Sequence, residues 1–80
     1  MSSVPDKSRL RWHCRRGMKE LDVLLERYLQ IHYDRAPEAE RAAFARLLER
    51  EDPELWAWVL EQAPVPAEFR DVLERVRRHA

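Results

Sequence analysis

The chain has 80 residues, enough for one small domain, with fifteen basic and fifteen acidic side chains that cancel. A balanced charge gives no general attraction to nucleic acid or anionic lipid, and a single cysteine, Cys14, excludes a disulfide within the chain. One glycine among many Leu, Glu, Arg and Ala residues favours helices with short connections over sheets, which need turn glycines and β-branched runs.

Residues 1–6 read as a flexible leader closed by Pro5 and Asp6, followed by a single helical domain over 7–80. They lack the apolar segment of a secretory signal, and no stretch approaches the ~20 apolar residues that span a bilayer. The expectation is a cytoplasmic protein without membrane insertion. A first short helix is predicted from about Lys7 to Arg15, with Leu10, His13 and Cys14 on one face. Lys7, Arg9, Arg11, Arg15, Arg16 and Lys19 make this region basic.

Gly17 interrupts the pattern. Two readings stand: a left-handed cap closing the first helix, or a bare spot permitting close backbone approach. A longer helix is predicted from Met18 to Tyr33, its stripe formed by Met18, Leu21, Leu25, Tyr28 and His32. Leu24, Leu29 and Ile31 widen that stripe, so the helix should be central. Asp34 to Pro37 breaks the chain, with Pro37 suited to the first turn of a third helix. Glu38 and Glu40 suit its positive end, Phe44, Leu47 and Leu48 supply its buried face, and it should finish near Arg50.

Asp52-Pro53-Glu54 is a start signal, with Asp52 as cap and Pro53 in the first turn of a fourth helix. Trp58 reads as core. Trp56, two positions away, turns to another side, either as a packing residue or as an exposed extension of an interaction surface. Pro64 to Pro66 stops this helix, and a fifth packs through Phe69, Val72, Leu73 and Val76.

No catalytic constellation assembles. The serines, Ser2, Ser3 and Ser8, fall in or beside the leader. Cys14 has basic sequence neighbours that can lower a thiol pKa, but adjacency to His13 does not pair them on a helix; the alternative is a half-buried packing thiol. His13, His32 and His79 lack metal-ligand spacing, so no metal site is expected. One glycine cannot build a phosphate-cradling loop. A small helical chain with a basic cluster could be a DNA-binding regulator, but Glu20, Asp22 and Glu26 interrupt that cluster.

The junction Arg15-Arg16-Gly17-Met18-Lys19-Glu20-Leu21-Asp22 stands out. In one reading Arg16 and Glu20 form a local ion pair four residues apart. In the other the junction displays donors and acceptors, with Arg16 offering a planar fork to a partner.

This junction resembles the flavinylation-factor family of succinate dehydrogenase assembly proteins, whose hallmark is Arg-Gly-x-x-Glu, here Arg16-Gly17-Met18-Lys19-Glu20. The similarity extends over Arg9, Trp12, Cys14, Arg15, Leu21 and Asp22, then Tyr33-Asp34, Phe44-x-x-Leu47-Leu48-Glu49 and Asp52-Pro53-Glu54-Leu55-x-x-Trp58. It runs from about Lys7 to Val76; Ala36 departs from a family leucine.

The resemblance implies an all-α, compact five-helix bundle with short connections. It implies an assembly factor, without catalysis of its own, that binds the flavoprotein subunit of succinate dehydrogenase or fumarate reductase while FAD is attached covalently. The flavin would belong to the client, so no cofactor is expected to be bound stably. The implied partner-binding set is Arg9, Trp12, Arg15, Arg16, Gly17, Met18, Glu20 and Asp22. No nucleic acid is expected as partner, and a monomer is expected when free. An antitoxin-type interaction module is the alternative within the same resemblance.

Overall fold

The structure is a computed structural model that describes residues 7–78. The expected leader, residues 1–6, and His79 lie outside the described residues. Five α-helices follow in order: α1 (Lys7–Cys14), α2 (Lys19–Ile31), α3 (Glu38–Leu47), α4 (Asp52–Val59) and α5 (Arg70–Arg77). No strand occurs among the described residues. The all-α prediction therefore holds, and the connections are short.

Each helix buries the stripe that its spacing dictates. Leu21, Leu24, Leu25, Tyr28 and Leu29 put α2 at the centre, packed on α1 and α5. Aromatic side chains fill the space between elements. The Tyr28 and Phe44 rings lie 4.5 Å apart, Tyr33 and Phe44 6.0 Å, and Trp58 and Phe69 5.6 Å. The predicted α5 face of Phe69, Val72, Leu73 and Val76 is buried throughout.

Several expectations shift. Helical spacing puts His13 on the face of Leu10 and Cys14, yet His13 is exposed while those two are buried. Ile31 sits at the last turn of α2 and lies 44 % exposed rather than widening the core stripe. The chain leaves α2 by a 3-10 turn, Tyr33–Arg35, that tucks the Tyr33 ring into the core. Pro37 immediately precedes α3, and α3 closes at Leu47 with turns over 48–50. Trp56 is half-buried against the core, so it is a packing residue.

The sequence predicts Asp52 as the cap of α4. It is instead the first helical residue, with Glu51 preceding it in extended conformation and no side-chain cap bond. Its carboxylate is drawn off by Arg16, thirty-six residues earlier in the chain. Pro53 sits in the first turn as predicted.

Among the described residues one charged group lies inside. Glu40 is buried in the first turn of α3, where the Tyr28 hydroxyl donates to its Oε2 at 2.7 Å and Arg75 Nε donates to its Oε1 at 3.0 Å. A buried carboxylate requires such partners. Burial, together with the bond to Glu40, pushes the Tyr28 hydroxyl well above its ordinary range.

Candidate partner-docking site

The corner between α1 and α2 is built by three devices, each traceable to a residue type. The first is Gly17, whose φ of +89° lies outside the window that side-chain-bearing residues tolerate in the left-handed region. A Cβ placed there would meet nothing within 4 Å among the described residues. The glycine is thus required by backbone conformation, and the space above it is open. Of the two readings of Gly17, the left-handed turn is present.

The second device is Asp22. Its two carboxylate oxygens accept the backbone N–H of Arg16 at 2.9 Å and of Gly17 at 3.2 Å. Met18, at the start of α2, has no side chain that can cap, and Asp22 reaches back to the two residues ahead of the helix instead. With Glu20 it also places negative charge in the first turn of α2, where the helix dipole favours it.

The third device is the Arg16 side chain, only 14 % exposed. Its guanidinium donates to the Asp52 carboxylate through Nε, and to the carbonyls of His13 at 3.0 Å and Leu48 at 2.8 Å through Nη1. Nη2 donates to the carbonyl of Arg50. The carbonyls of His13 and Leu48 belong to the ends of α1 and α3, where helices leave acceptors without intrahelical partners and carry partial negative charge. One planar cation therefore closes two helix ends and pairs with the first residue of a third helix.

This geometry removes one sequence reading and changes another. Arg16 does not pair with Glu20; its carboxylate partner is Asp52. Nor is its fork displayed outward, because its donors are engaged within the chain. Asp22 is likewise turned inward.

Other members of the expected set are accessible. Trp12 is 77 % exposed, and Glu20 is exposed with no ion pair among the described residues. Arg9 and Arg15 are exposed, the latter with its Nε 3.6 Å from Glu26 on α2. Met18 is half-buried against the core.

Sequence reasoning missed Asp52 as the partner of Arg16, since a residue thirty-six positions away gives no local signal. It also left out Val23, 44 % exposed beside Arg11 and Arg15. Its absence from the stripe of buried α2 positions was the available clue. Arg11, Trp12 and Arg15 line one shallow surface at the end of α1, and Arg11 and Arg15 continue it towards Val23 and Glu26.

Cys14 is fully buried, and burial, with Glu26 adding to it, pushes its thiol up to about 12. The basic neighbours that suggested a lowered pKa are outweighed. No group of three or more potential metal-ligating side chains occurs among the described residues. No helix described is long and apolar enough to cross a membrane.

Comparison with known proteins places this corner in context. Residues 8–80 match the family described as flavinator of succinate dehydrogenase. A protein of Idiomarina loihiensis called FAD assembly factor SdhE is 42 % identical, covering 94 % of this chain and 89 % of the relative. Proteins of the same name from Legionella pneumophila and Haemophilus ducreyi are 40 % and 37 % identical, each over 90 % of this chain and 91 % and 89 % of their own lengths. With its Arg16-to-Glu20 corner intact and the match running over nearly its whole length, the chain belongs to the succinate dehydrogenase flavinator family.

Proposed function

We propose that the chain binds the flavoprotein subunit of succinate dehydrogenase, or of fumarate reductase, and promotes covalent attachment of FAD to it. The observation that carries this reading is the family match across residues 8–80, on a chain whose Gly17–Glu20 corner is open to a partner. The relatives' name, FAD assembly factor, points to the same role.

The bond-forming chemistry belongs to the client. Attachment needs a client histidine held close to the flavin and a developing charge stabilised there. The factor contributes by binding more tightly to the client conformation in which those groups meet, which raises the population of that conformation. Glu20 and the bare backbone at Gly17 provide specific contact, Trp12 and Met18 provide apolar area, and Arg9 and Arg15 steer the encounter. Arg16 and Asp22 shape the corner from beneath. The flavin remains with the client, and the free factor is a monomer acting in the cytoplasm.

The test is genetic. Deleting the gene in its host is expected to abolish covalent flavin on the flavoprotein subunit, read by in-gel fluorescence. Wild type should restore it, and Glu20→Ala and Gly17→Ala should not, although both accumulate as folded protein. Undiminished covalent flavin in the deletion strain would remove the proposal. Full rescue by both variants would move the docking surface elsewhere.

A further inference from the structure

Arg16 and Asp52 are thirty-six residues apart in sequence, yet their side chains meet beneath the corner. From this geometry we propose that Asp52 is a positioning residue for client docking: acting through Arg16, it fixes the Gly17–Glu20 corner and keeps Glu20 unpaired for the partner. The proposal rests on the docking role argued above.

The corner needs such a tie. A Cβ built at Gly17 would meet nothing within 4 Å among the described residues, so the turn is held from below. Asp22 holds it locally, over five and six residues. The Arg16 side chain provides the long-range hold, onto Leu48, Arg50 and Asp52 at the connection between α3 and α4. The carbonyls orient the guanidinium but carry no net charge, and Asp52 supplies the counter-charge for a cation that is largely out of water.

Removing that carboxylate has a specific consequence. A guanidinium released from Asp52 is left without its counter-charge, and Glu20, four residues on across the Gly17 turn, is exposed and without an ion-pair partner among the described residues. The local Arg16–Glu20 pair that the sequence suggests is therefore the competing state. It would neutralise the carboxylate offered to the client. Asp52 favours the arrangement in which Arg16 points inward and Glu20 stays available. It makes this contribution without touching the partner, and its effect is on affinity rather than on the chemistry of attachment.

The test uses the full chain, purified apo-flavoprotein subunit and FAD, with covalent flavin followed as the factor is titrated. Asp52→Ala is expected to raise the half-saturating factor concentration about tenfold, with the rate at saturation unchanged. Asp52→Asn, which keeps a neutral acceptor, should raise it by about threefold. Val76→Ala, a destabilising change in the core of α5, controls for stability and should leave half-saturation unaltered. Amide exchange should quicken at Gly17 in Asp52→Ala and stay unchanged at Leu73. An unaltered half-saturating concentration in folded Asp52→Ala, or in Asp52→Asn where the alanine variant does not fold, overturns the proposal. An equal rise in Val76→Ala overturns it too, by showing that general stability suffices. A wild-type factor with no effect on flavin attachment would refute the docking role itself.

Discussion

Two of the described residues take left-handed backbone, Gly17 with φ +89° after α1 and Glu61 with φ +59° after α4, and they solve the same problem differently. The Glu61 turn is self-sufficient. Its own N–H donates to the Trp58 carbonyl at 3.1 Å, and the Gln62 N–H to the Ala57 carbonyl at 2.8 Å, the paired bonds that close a helix on itself. A φ near +59° lies within the range that a side chain tolerates at a penalty of about 1–2 kcal/mol. The Glu61 carboxylate recovers part of that by meeting Arg77 Nη1 at 2.7 Å.

The Gly17 turn is not self-sufficient. It depends on Asp22 from the next helix and on Arg16 reaching to the connection between α3 and α4. Its φ exceeds the tolerated window, and the chain's one glycine is placed there. The comparison teaches that a left-handed turn needing outside support, under an open surface, serves something beyond ending a helix. A turn that closes on its own carbonyls need serve nothing else.

The largest expected effect breaks the supported turn. Arg16→Ala strips Asp52 of its counter-charge and leaves the carbonyls of His13 and Leu48 without that donor. It should lower stability by about 2–4 kcal/mol in urea unfolding. A loss below about 1 kcal/mol would mean that water replaces the guanidinium without penalty, and the two turns would no longer differ in kind.

A smaller effect reports on the integrity of the same corner from below, through Cys14 at the end of α1. The buried thiol is raised from an ordinary value of 9.0 to about 12. Between those values the unfolded chain has released this proton and the folded one has not, so the folded state binds more protons. Stability is thus unaffected by this group below pH 9 and falls as pH climbs from 9 towards 12. Tyr28 and Tyr33, also raised by burial, act in the same direction. In native protein at pH 8.5 the thiol should resist Ellman's reagent, and Arg16→Ala should expose it. Rapid labelling of wild type would show that the corner opens without help.

The smallest effect sharpens the comparison from the other turn. Glu61→Gly relieves the left-handed strain and loses one exposed ion pair, so stability should rise by about 0.5–1 kcal/mol. Flavin attachment should be unchanged. A fall in attachment would show that the α4 end also takes part in docking.

Much of the fold was legible because local signals agree. The stripe of α2, the proline-marked starts of α3 and α4, and the α5 face each follow from spacing and punctuation. What stayed hidden involves residues that local rules place correctly but tertiary partners redirect. Asp52 has every mark of a cap, and Arg16 draws its carboxylate away. Glu40 looks like a first-turn acid facing water, and Tyr28 and Arg75 take it inside. At the corner between α1 and α2 the special backbone of Gly17 could be read from sequence, while the inward turn of Arg16 could not. Its preferred partner by spacing is four residues away, and its actual partner is on another helix.

The buried Glu40 carries a consequence for how the helices can be arranged. Its carboxylate is shared between a phenol on α2 and a guanidinium on α5, so α3 has one acceptable axial setting. A slip of α3 by a single turn, about 5.4 Å, would strand the charge in an apolar interior with both donors out of reach. Greasy contacts alone tolerate such sliding, because one leucine replaces another. The polar triad acts as a dowel that forbids it, and in a chain with a single cysteine it does the aligning that a cross-link would otherwise do.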